Sequence, residues 1–167
     1  MSLLYDRFDS PIGRITAVVH GDALVALDFA DCMERYEHLL AKRFGPKPPR
    51  KAENPIAIRD RVTTYFDGRR EAFDGLGLES RGTPFQERVW RELGRIPWGE
   101  TRSYAALAAA IGKPRAVRAV ARANALNPIA IIVPCHRVIG KNGALTGYAG
   151  GLARKRWLLR HEGALLA

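Results

Sequence analysis

Apolar and polar positions alternate through the first thirty residues, where "LLYDRF", "RITAVVH" and "ALVALDFA" read as three strands. The turn signals "DSPIG" and "GD" separate them, which predicts two successive hairpins. From Asp31 the period changes. Met33, Tyr36, Leu39, Leu40 and Phe44 recur at helical spacing in "CMERYEHLLAKRF", and Gly45 ends that helix. "PKPPRKAENP" reads as a loop, "IAIRDRVTTYFDG" as a second helix closed by Gly68, and "EAFDGLGLES" as a last strand.

Residues 80–83 form a joint. Beyond it, "TPFQERVWRELGRI" carries a capping box, with Thr83 as N-cap, Pro84 at the first helical position and Gln86 three residues on. Ser103 can cap a short helix that ends at Gly112, and Pro114 can start another that stops near Asn127-Pro128. A helix, a short Gly-containing turn and a helix make the helix-turn-helix pattern, a weak signal taken alone. The apolar run "IAIIV" then reads as a buried strand. It leads into Cys135, His136 and Arg137, a Gly-rich loop "GKNGALTGYAGG" and a final helix "LARKRWLLRHEG".

Charge sharpens this two-part division into 1–80 and 81–167. The 167 residues carry a net charge of +10. Residues 1–80 hold 12 basic and 13 acidic side chains, whereas residues 81–167 hold 15 and 4. From Thr101 onward the only carboxylate side chain is Glu162. So one-sided a field attracts polyanions, with nucleic acid the usual candidate and a merely solvated basic face the alternative. Arg115, Arg118 and Arg122 fall at i, i+3 and i+7, a spacing that lines three guanidiniums along one helical face and suits phosphates. No apolar run approaches the roughly 20 residues of a membrane span. No secretory signal is visible in "MSLLYDRFDSPIG". Cys32 and Cys135 stand far apart and make no disulfide framework. The expectation is a cytoplasmic protein with reduced thiols.

Cys135 follows Pro134 at the end of the apolar run, where a cysteine is most often a small core hydrophobe. Its company argues otherwise, because His136 and Arg137 are costly to bury unpaired. Neighbouring positive charge favours the thiolate, which is the nucleophile. A cysteine nucleophile needs a base and an orienter for that base. In an extended segment His136 would point away from Cys135, so a bridging water would have to relay the proton. Glu162 is the candidate orienter, with an ordinary surface ion pair as the alternative. Arg137 is expected to brace the segment from behind. The chain has no CxxC or HxxxH pair, so no metal site is predicted, and Cys32 is read as structural.

The run "IPWGETRSYAALAAAIGKPRAVRAVARANALNPIAIIVPCHRVIG" and the following "GALTGYAGGLARKRWLLRHEG" resemble the methylated-DNA–protein-cysteine methyltransferases, the alkylguanine-DNA alkyltransferases. "FDSPIGRITAVVHGDALVALDF" fits the family's opening more loosely. The resemblance implies an α+β protein, with a ribonuclease-H-like α/β domain over 1–80 and a winged helix-turn-helix domain over 81–167. It implies minor-groove binding to double-stranded DNA, flipping of an alkylated guanine, and irreversible transfer of the alkyl group from O6 to Cys135, with alkylthymine a further candidate substrate. No cofactor is implied. His136 would be the base through a water, oriented by Glu162. Tyr104 would rotate the flanking phosphate and lend its hydroxyl to the base. Arg118 would fill the gap in the stack, with Arg115 and Arg122 adding phosphate contacts. Asn127 would be the hinge between recognition helix and active-site segment. Tyr148 would pack on the guanine, while the backbone of Cys135, Val138 and Ala149 would read its edge. Ala149 and Ala130 stand where some members have serine and proline. The protein is expected to be monomeric and able to cluster on DNA. A lesion-recognition or regulatory DNA-binding protein without chemistry is the main alternative, and a Cys-His hydrolase a third.

Overall fold

The computed structural model describes residues 2–165. The chain divides into two units, Met1–Arg81 and Gly82–Ala167.

In the first unit, β1 (Leu3–Phe8), β2 (Ile15–His20) and β3 (Ala23–Phe29) form an antiparallel meander. Five consecutive residues of β2 and six of β3 are buried. Such unbroken buried runs, apolar except for Thr16 and Asp28, mean that both faces of the sheet are covered. On one face, α1 (Glu34–Phe44) packs Tyr36 and Leu40 against Leu3, Val18, Val25 and Ala26. On the other, α2 (Ile58–Phe66) brings Arg59 to Phe8 and Asp6 of β1.

Two edge strands complete the sheet in the order β4-β1-β2-β3-β5. The predicted loop 46–55 contains β4 (Arg50–Lys51), paired parallel to Leu4 and Tyr5. The predicted last strand shrinks to β5 (Gly77–Leu78), paired parallel to Ala23 and Leu24. Strands of two residues carry too little periodicity to be read, and short edges guard a sheet against pairing with other chains.

Asp6 is, with Asp28, one of two buried acids of this unit among the described residues. Its carboxylate accepts hydrogen bonds from the backbone of Arg7 (2.8 Å) and Asn54 (3.2 Å) and from Arg59 Nη2 (2.7 Å). Burial alone would raise its pKa, but the Arg59 and backbone donors outweigh that and hold it below the usual range. These bonds pin a bend in which Asn54, Ile56 and Ala57 all adopt positive φ, a conformation that persists only where its surroundings over-determine it.

The second unit is built on helices: α3 (Pro84–Leu93), α4 (Tyr104–Ala110), α5 (Val117–Ala125) and α6 (Leu152–His161). The capping box of α3 forms, with Thr83 Oγ1 accepting from Gln86 N (3.2 Å) and Gln86 Oε1 from Thr83 N (3.0 Å). Ser103 caps α4 by accepting from Ala106 N (3.0 Å). Helices α4 and α5 are the helix-turn-helix pair. α5 starts three residues after Pro114, because residues 113–116 close a turn through Ala116 N and Lys113 O (2.9 Å). α3 backs the pair: Trp90 Nε1 donates to Ala123 O of α5 (2.8 Å), and the Arg88 guanidinium caps the end of α4 at Ile111 O.

Residues 129–133 do not form the predicted strand. Ile129, Ala130, Ile131 and Val133 are buried, but the backbone coils, with Ile131 at a φ of 72° and Val133 N bonded to Ile129 O (3.1 Å). The side chain of Asn127 replaces a neighbouring strand. Its Nδ2 donates to Val133 O (2.7 Å) and Ile129 O (3.3 Å), and its Oδ1 accepts from Ile129 N (3.0 Å). Strand pairing appears instead between β6 (Arg102–Ser103) and β7 (Val138–Ile139), which run parallel.

Gly82 opens this unit against the Trp90 ring; a Cβ there would lie 2.4 Å from it. Gly82→Ala should therefore destabilise the protein by roughly 1–3 kcal/mol through overpacking. Gly147→Ala, with nothing within 4 Å of the added carbon, should stay within about 0.5 kcal/mol of the parent. Urea denaturation of both variants checks the contrast.

Candidate active site and nucleic-acid interface

Cys135 opens a single 3₁₀ turn, Cys135–Arg137, between the coiled segment and β7. The segment is therefore not extended at this point, and the three side chains fan around one turn. Cys135 N donates to Val133 O (2.8 Å) and Arg137 N to Pro134 O (2.9 Å), which sets the turn. The Cys135 side chain is nearly buried at 7 % exposure. Its carbonyl accepts a long bond of 3.5 Å from Nδ2 of Asn124, a buried residue of α5.

His136 is fully buried, and its Nε2 lies 2.9 Å from Glu162 Oε2. The other ring nitrogen, Nδ1, is buried without a hydrogen-bond partner among the described residues. Burial disfavours the charged ring and lowers the His136 pKa despite the carboxylate beside it. The ring is thus neutral at neutral pH, and a carboxylate acceptor at Nε2 places the proton there and the lone pair on Nδ1.

Glu162 caps the C-terminus of α6, where the helix dipole disfavours a carboxylate. Arg137 offsets this. Its Nε donates to Oε1 (2.7 Å) and its Nη2 to Oε2 (3.0 Å), while Nη1 donates to Ile96 O (2.6 Å). Burial by itself would raise the Glu162 pKa; the donors of His136 and Arg137 win and bring it to about 2. Arg137, expected to brace the segment from behind, is therefore the direct ion partner of the same carboxylate that holds His136. The chain before α4 closes over this end, where a Cβ on Gly99 would lie 3.1 Å from Glu162 O.

One group escaped the sequence reading. Lys155 of α6 is fully buried and donates to Val138 O (2.6 Å) and Thr146 O (2.8 Å), tying β7 to the Gly-rich loop. Its position offered a signal: in "LARKRWLLRH" it shares a helical face with Leu158 and Leu159. A lysine on an apolar face needs a partner.

The remaining predicted residues surround this centre. Tyr104 begins α4, half-buried, and its hydroxyl lies 3.4 Å from Thr146 Oγ1 of the Gly-rich loop. Tyr148 is half-buried in that loop and Ala149 exposed, while Val138 is buried. Arg118 and Arg122 project from α5 and are exposed, opposite Val120 and Ala123. Arg115 is exposed too, but it lies in the turn before α5, so the three arginines do not share one helix. Among the described residues no group of three or more His, Cys, Asp or Glu could hold a metal ion, and no helix is long and apolar enough to cross a membrane.

The architecture defines a class: a ribonuclease-like α/β unit followed by a helix-turn-helix unit that carries a buried Cys-His-Glu arrangement. Family models agree on both halves. Residues 3–80 match the ribonuclease-like domain of 6-O-methylguanine DNA methyltransferase, and residues 84–164 match its DNA-binding domain. The chain belongs to the 6-O-methylguanine DNA methyltransferase family. It is 44% identical over 169 residues to the methylated-DNA–protein-cysteine methyltransferase of Salmonella typhimurium, covering 99% of each chain. It is 47% identical over 161 residues to that of Mycobacterium tuberculosis, covering 95% of this chain and 91% of the relative. The crystal structure of the M. tuberculosis O6-methylguanine methyltransferase superposes with a TM-score of 0.81 at 44% identity, covering 97% of this chain and 93% of that one. The crystal structure of Mycobacterium tuberculosis OGT in complex with DNA gives 0.82, again at 44% identity, with 96% and 92% covered.

The depressed pKa of Glu162 fixes the sign of one stability effect. Its contribution is fully present above the ordinary carboxylate value of 4.5 and is lost as pH falls toward about 2. Glu162→Gln should be less stable than the parent at pH 7, because Arg137 and His136 lose their anionic partner. The gap should close as pH falls below 4.5. Urea denaturation of both proteins between pH 2 and 7 measures it, and a gap independent of pH contradicts this assignment.

Proposed function

We propose that this protein repairs alkylated DNA by moving a methyl or other alkyl group from O6 of guanine to Cys135, once per molecule. The observation that carries the reading is a buried cysteine in a turn shared with a neutral, carboxylate-held histidine, set in a unit whose exposed helix face is arginine-rich. Arg118 and Arg122 of α5 and Arg115 before it engage the DNA, at the minor groove, and the damaged base leaves the stack. Extrusion costs a few kcal/mol, which Arg118 offsets by occupying the gap and the phosphate contacts offset by binding. Tyr148 packs on the extruded guanine, with the Val138 carbonyl and the Ala149 amide at its edge. Asn127 is the hinge that couples α5 to the active-site segment.

The chemistry follows from the residues. His136 Nδ1 takes the thiol proton through a water, and Glu162 stabilises the resulting imidazolium. The thiolate attacks the alkyl carbon in line. A carbon–sulfur bond forms as the carbon–O6 bond breaks, and the electron pair leaves with the guanine. The Tyr104 hydroxyl stabilises that charge at the ring. The product is a thioether with no route back, so the protein is consumed. Such chemistry needs a reduced thiol, which fits the cytoplasm.

Intact-mass measurement after mixing with a duplex containing O6-methylguanine tests the reading. One methyl group should appear per molecule, on Cys135. Cys135→Ala should abolish transfer while retaining DNA binding, and Arg118→Ala should slow transfer by roughly tenfold or more through loss of the stack-filling side chain. Unmodified protein that still binds the lesion would favour a recognition protein without chemistry. Released product with a regenerated thiol would favour a hydrolase.

A further inference from the structure

Glu162 stands where its helix constrains it least. It is the C-cap of α6, and helix ends fray because their last carbonyls have no partner within the helix. A carboxylate that holds one imidazole in one orientation needs that last turn fastened from outside. The chain after α3 supplies the fastening. Glu100 N donates to Pro97 O (3.1 Å), and Gly99 adopts a φ of 85°. A glycine at the third position of such a turn is the type II pattern. Trp98 is thereby set at the tip. Its ring meets that of His161, the last residue of α6, with centroids 5.5 Å apart and planes tilted by 60°. His161 in turn stacks on Trp157, one helical turn back on the same face, at 4.9 Å and 21°. All three rings are half-buried, at the rim of the unit rather than in its core. The backbone on either side of Trp98 is fixed to the same end of α6. Ile96 O accepts from Arg137 Nη1 (2.6 Å), and Gly99 passes so close to Glu162 O that a Cβ would lie 3.1 Å from it.

We propose that Trp98 and His161 are positioning residues for the alkyl transfer: stacked with Trp157, they clamp the 97–100 turn onto the end of α6 and so hold the Glu162 carboxylate against His136. The work is divided between two devices. Arg137 fixes the plane and the charge of the carboxylate, and the ring stack fixes the backbone that carries it. Loss of a ring frees the last turn of α6, and Glu162 then holds the imidazole less firmly. The proton of His136 is no longer confined to Nε2, and transfer slows although Cys135, His136 and Glu162 are all still present. Reactive groups tolerate only small displacements, which is why a residue that touches none of them acts on the rate. The inference rests on the alkyl-transfer reading for its purpose, but its physical content concerns the His136–Glu162 pair alone.

The experiment compares full-length variants by the nitrogen-15 shifts of the His136 imidazole at neutral pH and by the single-turnover rate of methyl transfer from an O6-methylguanine duplex, each referred to folded protein. His161→Ala removes the ring and keeps a good helix former at the end of α6. The Nδ1 and Nε2 shifts of His136, well separated in the parent, should draw together as both tautomers become populated. Transfer at saturating DNA should fall about tenfold, with DNA affinity unchanged. His161→Phe restores a ring to the stack and should return both readouts to those of the parent. Trp98→Ala should reproduce His161→Ala, and the double variant should add little to either. A stack that serves stability alone lowers the denaturation midpoint of His161→Ala but leaves the His136 spectrum as it is, and that result overturns the proposal. So does a loss shared by His161→Phe, because ring stacking is then not what holds Glu162. If Trp98→Ala does not fold, the two His161 variants decide. Failure of the parent to accept a methyl group from DNA overturns the proposed function instead, and the His136 spectra still decide the clamp.

Discussion

Everything at the reactive end of this protein depends on one buried carboxylate. Glu162 sits at the C-terminus of α6, where the helix field is unfavourable to it, and is withdrawn from water. It stays ionised because Arg137 grips both oxygens and His136 approaches one of them. The fork geometry of a guanidinium suits this task, since two parallel bonds fix the carboxylate plane as well as its charge. The third Arg137 bond, to Ile96 O, fastens the pair to the segment after α3. With the carboxylate immobile, the imidazole beside it has one orientation and one tautomer.

The backbone around Cys135 is held in an unusual way. A strand would satisfy its amides and carbonyls through neighbouring strands. Here buried side chains do so: Asn127 for residues 129–133, Asn124 for Cys135, Lys155 for Val138. The two asparagines lie on α5 or just beyond its end, so the arginine-bearing helix and the segment around Cys135 share hydrogen bonds. Displacing α5 would strain the turn directly. Under the proposed function, that arrangement is what would connect lesion binding to chemistry.

Much of this was legible along the chain. The hairpin strands, the capping box at Thr83, the N-cap at Ser103 and the lone acid Glu162 each follow from local pattern or charge. What was not legible has physical causes. The "IAIIV" run looks like a strand because burial, not strand pairing, selects its apolar side chains, and a single asparagine side chain can satisfy a coil that is equally buried. The two-residue strands β4 and β5 are too short for alternation to register. The pairing of Arg137 with Glu162 spans 25 positions, a distance over which no periodicity operates. Lys155 was hidden among the arginines of a basic helix, where a lysine normally means a solvated face.

The most direct test of this account is the protonation state of His136, read from the nitrogen-15 chemical shifts of its imidazole at neutral pH before any alkyl transfer. A neutral ring with the proton on Nε2 and an unprotonated Nδ1 is the predicted result. An imidazolium, or a neutral ring with the proton on Nδ1, would contradict it, because Nδ1 would then have no lone pair with which to take the proton of Cys135.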